Sequence, residues 1–416
     1  MVVEGAPRAP WGVRTFFDPK FVALLSALVA TLCVLAFFRY LVSPLPLLDL
    51  YAHLDGALDW QRGLDPYHVY LSHRPGEIGG GYVFPPFTLP LALALAHIPR
   101  QAAASLWTLA GVAALAWLLW DLAKPRTPTR LAAVTLLAVF FYPLLTNFAL
   151  GQVGIVALLG AWIAGRLASK RAEVGAGLAL GLASLFKLFP LLVGGSLILR
   201  GRWRALVWAI VVIGGATVVT WPFVATLWPE YVAGVLVGHL GATSPSPGNQ
   251  SIAAAVVRTL TMNPFQKPLL VSPTLATVTS IVLPLALVAG VAVSVMGRPN
   301  DRLHDALLLA CLPLVVPNAW QHYYVFSFPL LWMVVSAGFH RRDPWLLTAG
   351  AVAFIALSWI AGTVDDWYFA LARAAPGWHG LYANASVLGG LLLVVAGVYL
   401  VRREAVTAGS ASQRAA

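Results

Sequence analysis

The sequence predicts an all-α polytopic membrane protein, a bundle of about 12 transmembrane helices. Three observations carry that expectation. The 416 residues are 59% hydrophobic and only 10% charged, which leaves little room for a water-exposed domain. The apolar runs cluster near the roughly 20 residues that a helix needs to cross a bilayer, and a helix satisfies its own backbone hydrogen bonds in lipid. The basic residues gather in short connections such as Leu167-Ala168-Ser169-Lys170-Arg171 and Arg200-Gly201-Arg202-Trp203-Arg204, which is the positive-inside pattern. The sequence shows no succession of short alternating strands of the kind that builds a β-barrel. A net charge of +11 suits nucleic-acid binding in principle, but its confinement to short inter-helix turns excludes that class of partner.

In chain order, residues 1–20 carry Arg8, Arg14 and Lys20 with little apolar content, which assigns the N-terminus to the cytosol. The apolar run 21–42 has no small-residue cleavage site after it and reads as an anchor. It exports the connection 43–82. Further apolar segments stand at about 83–98, 103–123, 131–148, 152–168, 174–187, 188–199, 203–222, 268–296, 303–318, 323–338, 345–362 and 385–401, thirteen with the first. Both chain ends have cytosolic-type flanks, the C-terminal one being Arg402-Arg403, and this requires an even number of crossings. Either the short 83–98 segment or one half of the 174–199 pair therefore fails to span. The expected organisation is a cytosolic segment 1–20, one transmembrane domain 21–402 with outer loops 43–82, 223–250 and 363–384, and a disordered cytosolic tail 403–416. Cys33 and Cys311 both sit inside apolar runs, so neither a disulfide framework nor a thiolate metal site is implied.

Polar chemistry concentrates in the first outer loop, where Asp49, His53, Asp55, Asp65, His68, His73 and Glu77 follow one another closely. Ionisable groups in a lipid-embedded chain are costly and mark functional sites. Leu47, Leu50, Leu54 and Leu58 recur at helical spacing, with Asp49 and His53 four apart on a neighbouring face, so the stretch reads as a helix lying on the membrane surface. Asp65-Pro66-Tyr67 breaks it, and Phe84-Pro85-Pro86-Phe87 re-enters the bilayer. Asp49 is either a first-turn acid favoured by the helix dipole or a general base at the lipid–water boundary. Asp55 is a weaker candidate of the same kind, and Asp65 has the look of a turn former.

Lys187 stands within Leu185-Phe186-Lys187-Leu188-Phe189-Pro190, deep in an apolar stretch. It either snorkels to an interface or, at the tip of a 174–199 hairpin, presents its ammonium to a lipid phosphate. Arg39, at the outer end of the first apolar run, has the same two readings. Trp320-Gln321-His322-Tyr323 is a polar and aromatic knot between two apolar segments; His322 is an interfacial belt residue, or a sugar or phosphate contact and proton partner. Asn147 with Gly151-Gln152, and Asn249-Gln250-Ser251 with Arg258, form two further polar tips. Zinc-protease, Walker A and dinucleotide-binding patterns are missing from the sequence, so no cofactor and no metal are expected and a lipid-carried donor fits.

The ordered set Asp49-Leu50-Tyr51 with Pro66-Tyr67, Phe84-Pro85-Pro86-Phe87, Gly151-Gln152-Val153, Lys187-Leu188-Phe189-Pro190, Asn249-Gln250-Ser251 and Trp320-Gln321-His322 resembles the GT-C superfamily of integral membrane glycosyltransferases, and specifically glycosyltransferase family 87, over about residues 45–325. That resemblance implies a GT-C-type bundle whose first extracytoplasmic loop carries amphipathic surface helices and the catalytic aspartate, at the position of Asp49. Within the family the chain resembles actinobacterial α-1,2-mannosyltransferases of the plasma membrane. These imply polyprenyl-phosphate-mannose as donor, a phosphatidylinositol mannoside as acceptor, and a site on the extracytoplasmic, periplasmic face. Lys187 matches the basic residue that meets the donor phosphate. Substrate contacts are then expected from Arg39, His53, Asp55, Tyr67 and Gln152 on one side and from Asn249, Gln250, Arg258, Trp320, Gln321 and Tyr323 on the other, with His322 beside Asp49 in the catalytic role. Asp49 is followed by Leu50-Tyr51 and not by the further acid common in GT-C enzymes, which argues against a metal-binding role. Alternatives are a GT-C transferase acting on lipoglycan or arabinan, a secondary transporter, and a lipid-binding scaffold. The broken 174–199 segment has no twin of the kind a transporter's repeats would supply.

Overall fold

The computed structural model describes residues 47–72, 81–297, 300–360 and 379–415. The expected anchor 21–42 with Arg39, the residues His73 and Glu77, and residues 363–378 of the 363–384 loop lie outside the described residues. Among the described residues the fold is helical, without strands, and a single bridge joins Asn249 to Trp320.

The principal helices are α1 (Leu48–Gln61), α2 (Leu89–Ala96), α3 (Arg100–Leu122), α4 (Pro128–Val139), α5 (Tyr142–Leu150), α6 (Gly154–Ser169), α7 (Glu173–Ser184), α8 (Gly194–Leu199), α9 (Trp203–Val224), α10 (Ile252–Leu260), α11 (Pro273–Val295), α12 (Asp301–Val315), α13 (Phe328–Arg341), α14 (Pro344–Ile355) and α15 (Ala385–Ala415). Several have proline in their first two positions, at the start of α4, α11 and α14 and second in α5, where the missing N–H has no partner to lose. α15 runs to Ala415 and so takes in residues 403–415, where a disordered tail was expected.

Five helices are long and apolar enough to cross a membrane: α3, Trp203–Leu236, α11, Gln321–Arg341 and Ala385–Ala405. A sixth span results if α4 and α5, bent by 61°, are taken together. The bend falls where Pro143 opens α5 and cannot continue the hydrogen-bond ladder of α4. About 12 crossings were expected; the remaining apolar helices, Pro86–Ala96, Gly154–Ser169, Glu173–Ser184, Phe189–Leu199 and Pro344–Ser358, are only 10–17 residues long. The 174–199 pair is one of these cases. α7 has 12 residues, roughly 18 Å by helical rise, against a hydrocarbon core of about 30 Å, so the two halves make a short hairpin that reverses at Lys187.

The hairpin is fixed by close helix packing. A Cβ at Gly177 would lie 2.4 Å from the Ala205 carbonyl oxygen and one at Gly181 2.6 Å from Val212 Cβ, so these two glycines, four apart, let α7 lie directly on α9. α3 relates the two ends of the bundle. At its start Arg100 pairs with Asp55 of α1; at its end the carboxylate of Asp121 receives Lys124, Arg166 and Arg302. The rise along α3 separates these ends by roughly 30 Å.

Candidate active site

The site is built where the start of α1, the α5–α6 turn and the tip of the α7–α8 hairpin meet. α1 begins abruptly: Leu47 has a left-handed backbone with φ 37°, a conformation that costs an L residue about 1–2 kcal/mol. Its N–H donates to the Ala149 carbonyl at 2.9 Å and its side chain is buried, which holds the strained turn in place. Asp49 follows in the first turn of α1. Across from it, Gly151 ends α5 with φ 70°, and a Cβ there would stand 2.7 Å from Leu50 Cβ. Only glycine satisfies both the backbone angle and the approach of α1. The Trp107 indole N–H donates to the Gly151 carbonyl at 2.8 Å, so α3 clamps the same turn.

This turn delivers Gln152 between two opposite charges. Its Nε2 donates to Asp49 Oδ2, and its Oε1 accepts from Lys187 Nζ at 2.7 Å. The Lys187 ammonium also lies 4.2 Å from the centre of the Tyr323 ring, a cation–π contact. Phe189 packs on the Tyr323 ring at 5.1 Å and the His322 ring lies 4.9 Å from that of Tyr323, which joins the Trp320–Tyr323 knot to the hairpin tip. A carboxylate, a carboxamide, an ammonium and an aromatic ring thus form one chain of contacts drawn from four separate elements.

His53 sits one turn after Asp49 on α1, buried, stacked on Phe84 at 3.8 Å with Tyr82 edge-on at 5.6 Å. Tyr67 and Tyr82 hold this wall: the Tyr67 hydroxyl donates to the Phe84 carbonyl at 2.9 Å, and the Tyr82 hydroxyl meets the Thr88 hydroxyl. Burial pulls His53 down to about 3, with the Lys187 charge adding to the effect, so its imidazole is neutral at physiological pH. Burial raises Asp49 above the ordinary carboxylate range, opposed by the Gln152 hydrogen bond and the Lys187 charge. Three buried nitrogens in this region, His53 Nδ1, Gln321 Nε2 and His322 Nε2, have no hydrogen-bond partner among the described residues. Buried donors and acceptors are rarely left unpaired, so these are places for a polar ligand or water. Among the described residues no three His, Cys, Asp or Glu side chains cluster in a way that could hold a metal ion.

Other expected contacts are used differently. Asp55 pairs with Arg100 at the surface, its side chain 55% exposed, and Arg100 stacks over Tyr51. Tyr67 is a fully buried packing residue. Asn249, Gln250 and Arg258 form a closed polar knot. Asn249 donates to the Ser244 and Pro317 carbonyls and accepts from the Ala319 N–H. Gln250 donates to the Pro247 and Ala383 carbonyls and accepts from the Ser386 N–H. Arg258, fully buried, donates to the Ser246 and Asn249 carbonyls and to Asn384 Oδ1 at 2.6 Å. These partners are backbone and amide groups, so the knot fixes the Pro317–Trp320 turn and thereby the position of Gln321, His322 and Tyr323. Trp320 sits on this knot, its ring against Gly248. The clamping role of Trp107 had no signal in the sequence, because a tryptophan in an apolar helix reads as an interfacial anchor.

A family model described as Glycosyltransferase family 87 matches residues 82–317. The match takes in Gly151-Gln152, Lys187 and Asn249-Gln250 and stops short of Asp49 on one side and His322 on the other. A curated relative is the polyprenol-phosphate-mannose-dependent alpha-(1-2)-phosphatidylinositol pentamannoside mannosyltransferase of Mycobacterium tuberculosis (strain CDC 1551 / Oshkosh). It is 26% identical over 391 residues, covering 85% of this chain and 82% of the relative.

Proposed function

Because the chain belongs to glycosyltransferase family 87, we propose that it is an integral membrane mannosyltransferase that moves mannose from polyprenyl-phosphate-mannose to the 2-hydroxyl of a terminal mannose on a phosphatidylinositol mannoside. The donor and acceptor classes follow the relative's name; the assignment of roles follows the geometry. The observation that carries it is the Asp49–Gln152–Lys187 chain, a base and a cation held a short distance apart by one amide.

The reaction is a single displacement with inversion. Asp49 takes the proton from the acceptor 2-hydroxyl, the oxygen attacks C1 of the mannosyl phosphate, and the C1–O bond breaks with its electron pair on the polyprenyl phosphate. Lys187 stabilises that leaving phosphate, a charge held ready where charge develops. Gln152 keeps the carboxylate and the ammonium from collapsing into a direct ion pair that would remove both from use. His53, neutral, and the unpaired nitrogens of Gln321 and His322 supply hydroxyl contacts for the sugars. Both substrates are lipids confined beside the bundle, which supplies much of their effective concentration. The site lies on the extracytoplasmic face of the plasma membrane, as the placement of the basic turns at the other end of the bundle supports.

The test is direct. Purified protein incubated with radiolabelled polyprenyl-phosphate-mannose and a phosphatidylinositol mannoside makes a larger labelled glycolipid whose new linkage is cut by an α-1,2-mannosidase. Label that stays on the polyprenol whatever mannoside is supplied overturns the reading.

A further inference from the structure

A second concentration of charge lies at the end of the bundle away from Asp49. There a cavity of about 300 Å³ opens between the ends of α3, α12, α13 and α15. Apolar side chains, among them Leu303, Trp332 and Leu400, line it together with the cations Lys124, Arg130, Arg302 and Arg341. Glu404 is the one carboxylate in the lining, paired with Arg341 at 3.0 Å and bonded by Asn300. With the adjoining Asp121 and Arg166, five cations meet two carboxylates among the described residues, an excess of three positive charges.

Arg130 is the unbalanced member. It sits in the first turn of α4, at the positive end of the helix dipole, where a cation is disfavoured and an anion favoured. Its guanidinium lies 5.6 Å from the centre of the Trp332 ring, and Nη1 donates to His340 Nε2 at 3.2 Å. His340 Nδ1 in turn donates to the Ser336 carbonyl at 2.8 Å, and an imidazole brings no negative charge to balance Arg130. Arg130 forms no ion pair with a carboxylate among the described residues, whereas Lys124, Arg302 and Arg341 each have one. The Nε–H groups of Arg130 and Arg302 are buried without a hydrogen-bond partner. Two unpaired guanidinium donors beside one cavity, with surplus positive charge, call for a multivalent oxygen acceptor.

We propose that this cavity binds the phosphate of an anionic phospholipid, with Arg130 and Arg302 as the principal donors. Phosphate chemistry fits the forked donors. The apolar lining and the place at the helix ends away from Asp49 favour a lipid headgroup over a free anion. The site is independent of the transfer chemistry, since none of its residues belongs to the Asp49–Lys187 centre.

The test uses the full chain, stripped of lipid in a zwitterionic detergent. It is titrated separately with dihexanoyl-phosphatidylglycerol, dihexanoyl-phosphatidylcholine and inorganic phosphate, with native mass spectrometry reporting stoichiometry. Wild-type protein is expected to retain one phosphatidylglycerol, to bind phosphatidylcholine at least about tenfold more weakly, and to lose about tenfold in phosphatidylglycerol affinity in Arg130→Gln. Arg130→Lys should recover part of that loss. Arg302→Gln serves as a second variant if Arg130→Gln does not fold. Equal affinity of wild type and either variant for phosphatidylglycerol overturns the proposal. Arg130-dependent binding of phosphate without phosphatidylglycerol binding overturns the lipid occupant and assigns the cavity to a free anion.

Discussion

At Asp49, burial and hydrogen bonding act in opposite directions. Burial raises the carboxyl group, and the Gln152 hydrogen bond and Lys187 charge lower it, with burial the larger effect. A base works only when deprotonated. Burial also pulls Lys187 down to about 7. Transfer activity is therefore expected to fall on acidification through a pKa above the usual carboxylate value near 4, and to fall again at high pH as the ammonium loses its proton. A pH profile of kcat/KM measures it, and an acid limb at or below the ordinary Asp value would contradict the assignment. Gln152→Ala removes the bond that lowers the carboxyl group and the acceptor that holds Lys187. Its acid limb should move to higher pH, and its rate should drop by about 10- to 100-fold, the usual effect of leaving charged groups without a partner. A variant with lower activity but an unshifted limb would reduce Gln152 to a packing role. That Lys187 needs a polar partner was legible in the sequence, because an unpaired lysine in an apolar run is too costly to be indifferent. Gln152 as the bridge was not, because a carboxamide at a turn carries no charge to signal its partner.

At the scale of elements, the site depends on how closely α1 approaches the α5–α6 turn. Gly151→Ala adds a Cβ where Leu50 Cβ stands at 2.7 Å and forces an L residue to φ 70°. The variant should lose roughly 1–3 kcal/mol of stability and, because α1 shifts, should lose kcat more than affinity for substrate. Thermal unfolding with steady-state kinetics on the same preparation checks both; unchanged kcat would show that α1 tolerates displacement. Helical spacing correctly gave α1, with Asp49 and His53 one turn apart. The Asp65 turn was equally legible, its carboxylate accepting from the Tyr67 N–H at 2.9 Å. Arg258 was misjudged in kind: a lone arginine among polar residues has the sequence appearance of an anion site, yet here it serves backbone carbonyls of a turn that local sequence does not show folding back.

At the scale of the molecule, composition identified a helical membrane protein; among the described residues five helices are long and apolar enough to cross, or six if α4 and α5 act as one. Runs such as 174–187 and 188–199 are as apolar as true crossings, and only the break at Lys187 with Pro190 reveals that they fold into a short hairpin. The long helices set α1 and the basic turns at opposite ends. In a Cys33→Ser background, Gln61→Cys and Arg342→Cys, both at exposed positions, should therefore react with a membrane-impermeant maleimide from opposite sides in intact cells and inverted vesicles. Labelling of both from one side would contradict the topology and with it the extracytoplasmic site.

The central claim is that the Asp49 carboxylate accepts the acceptor's proton. Asp49→Asn keeps the size of the side chain and removes the base, so transfer of radiolabelled mannose should fall by at least about 100-fold while donor binding and thermal unfolding stay near wild type. Wild-type transfer by the folded Asp49→Asn protein would contradict it.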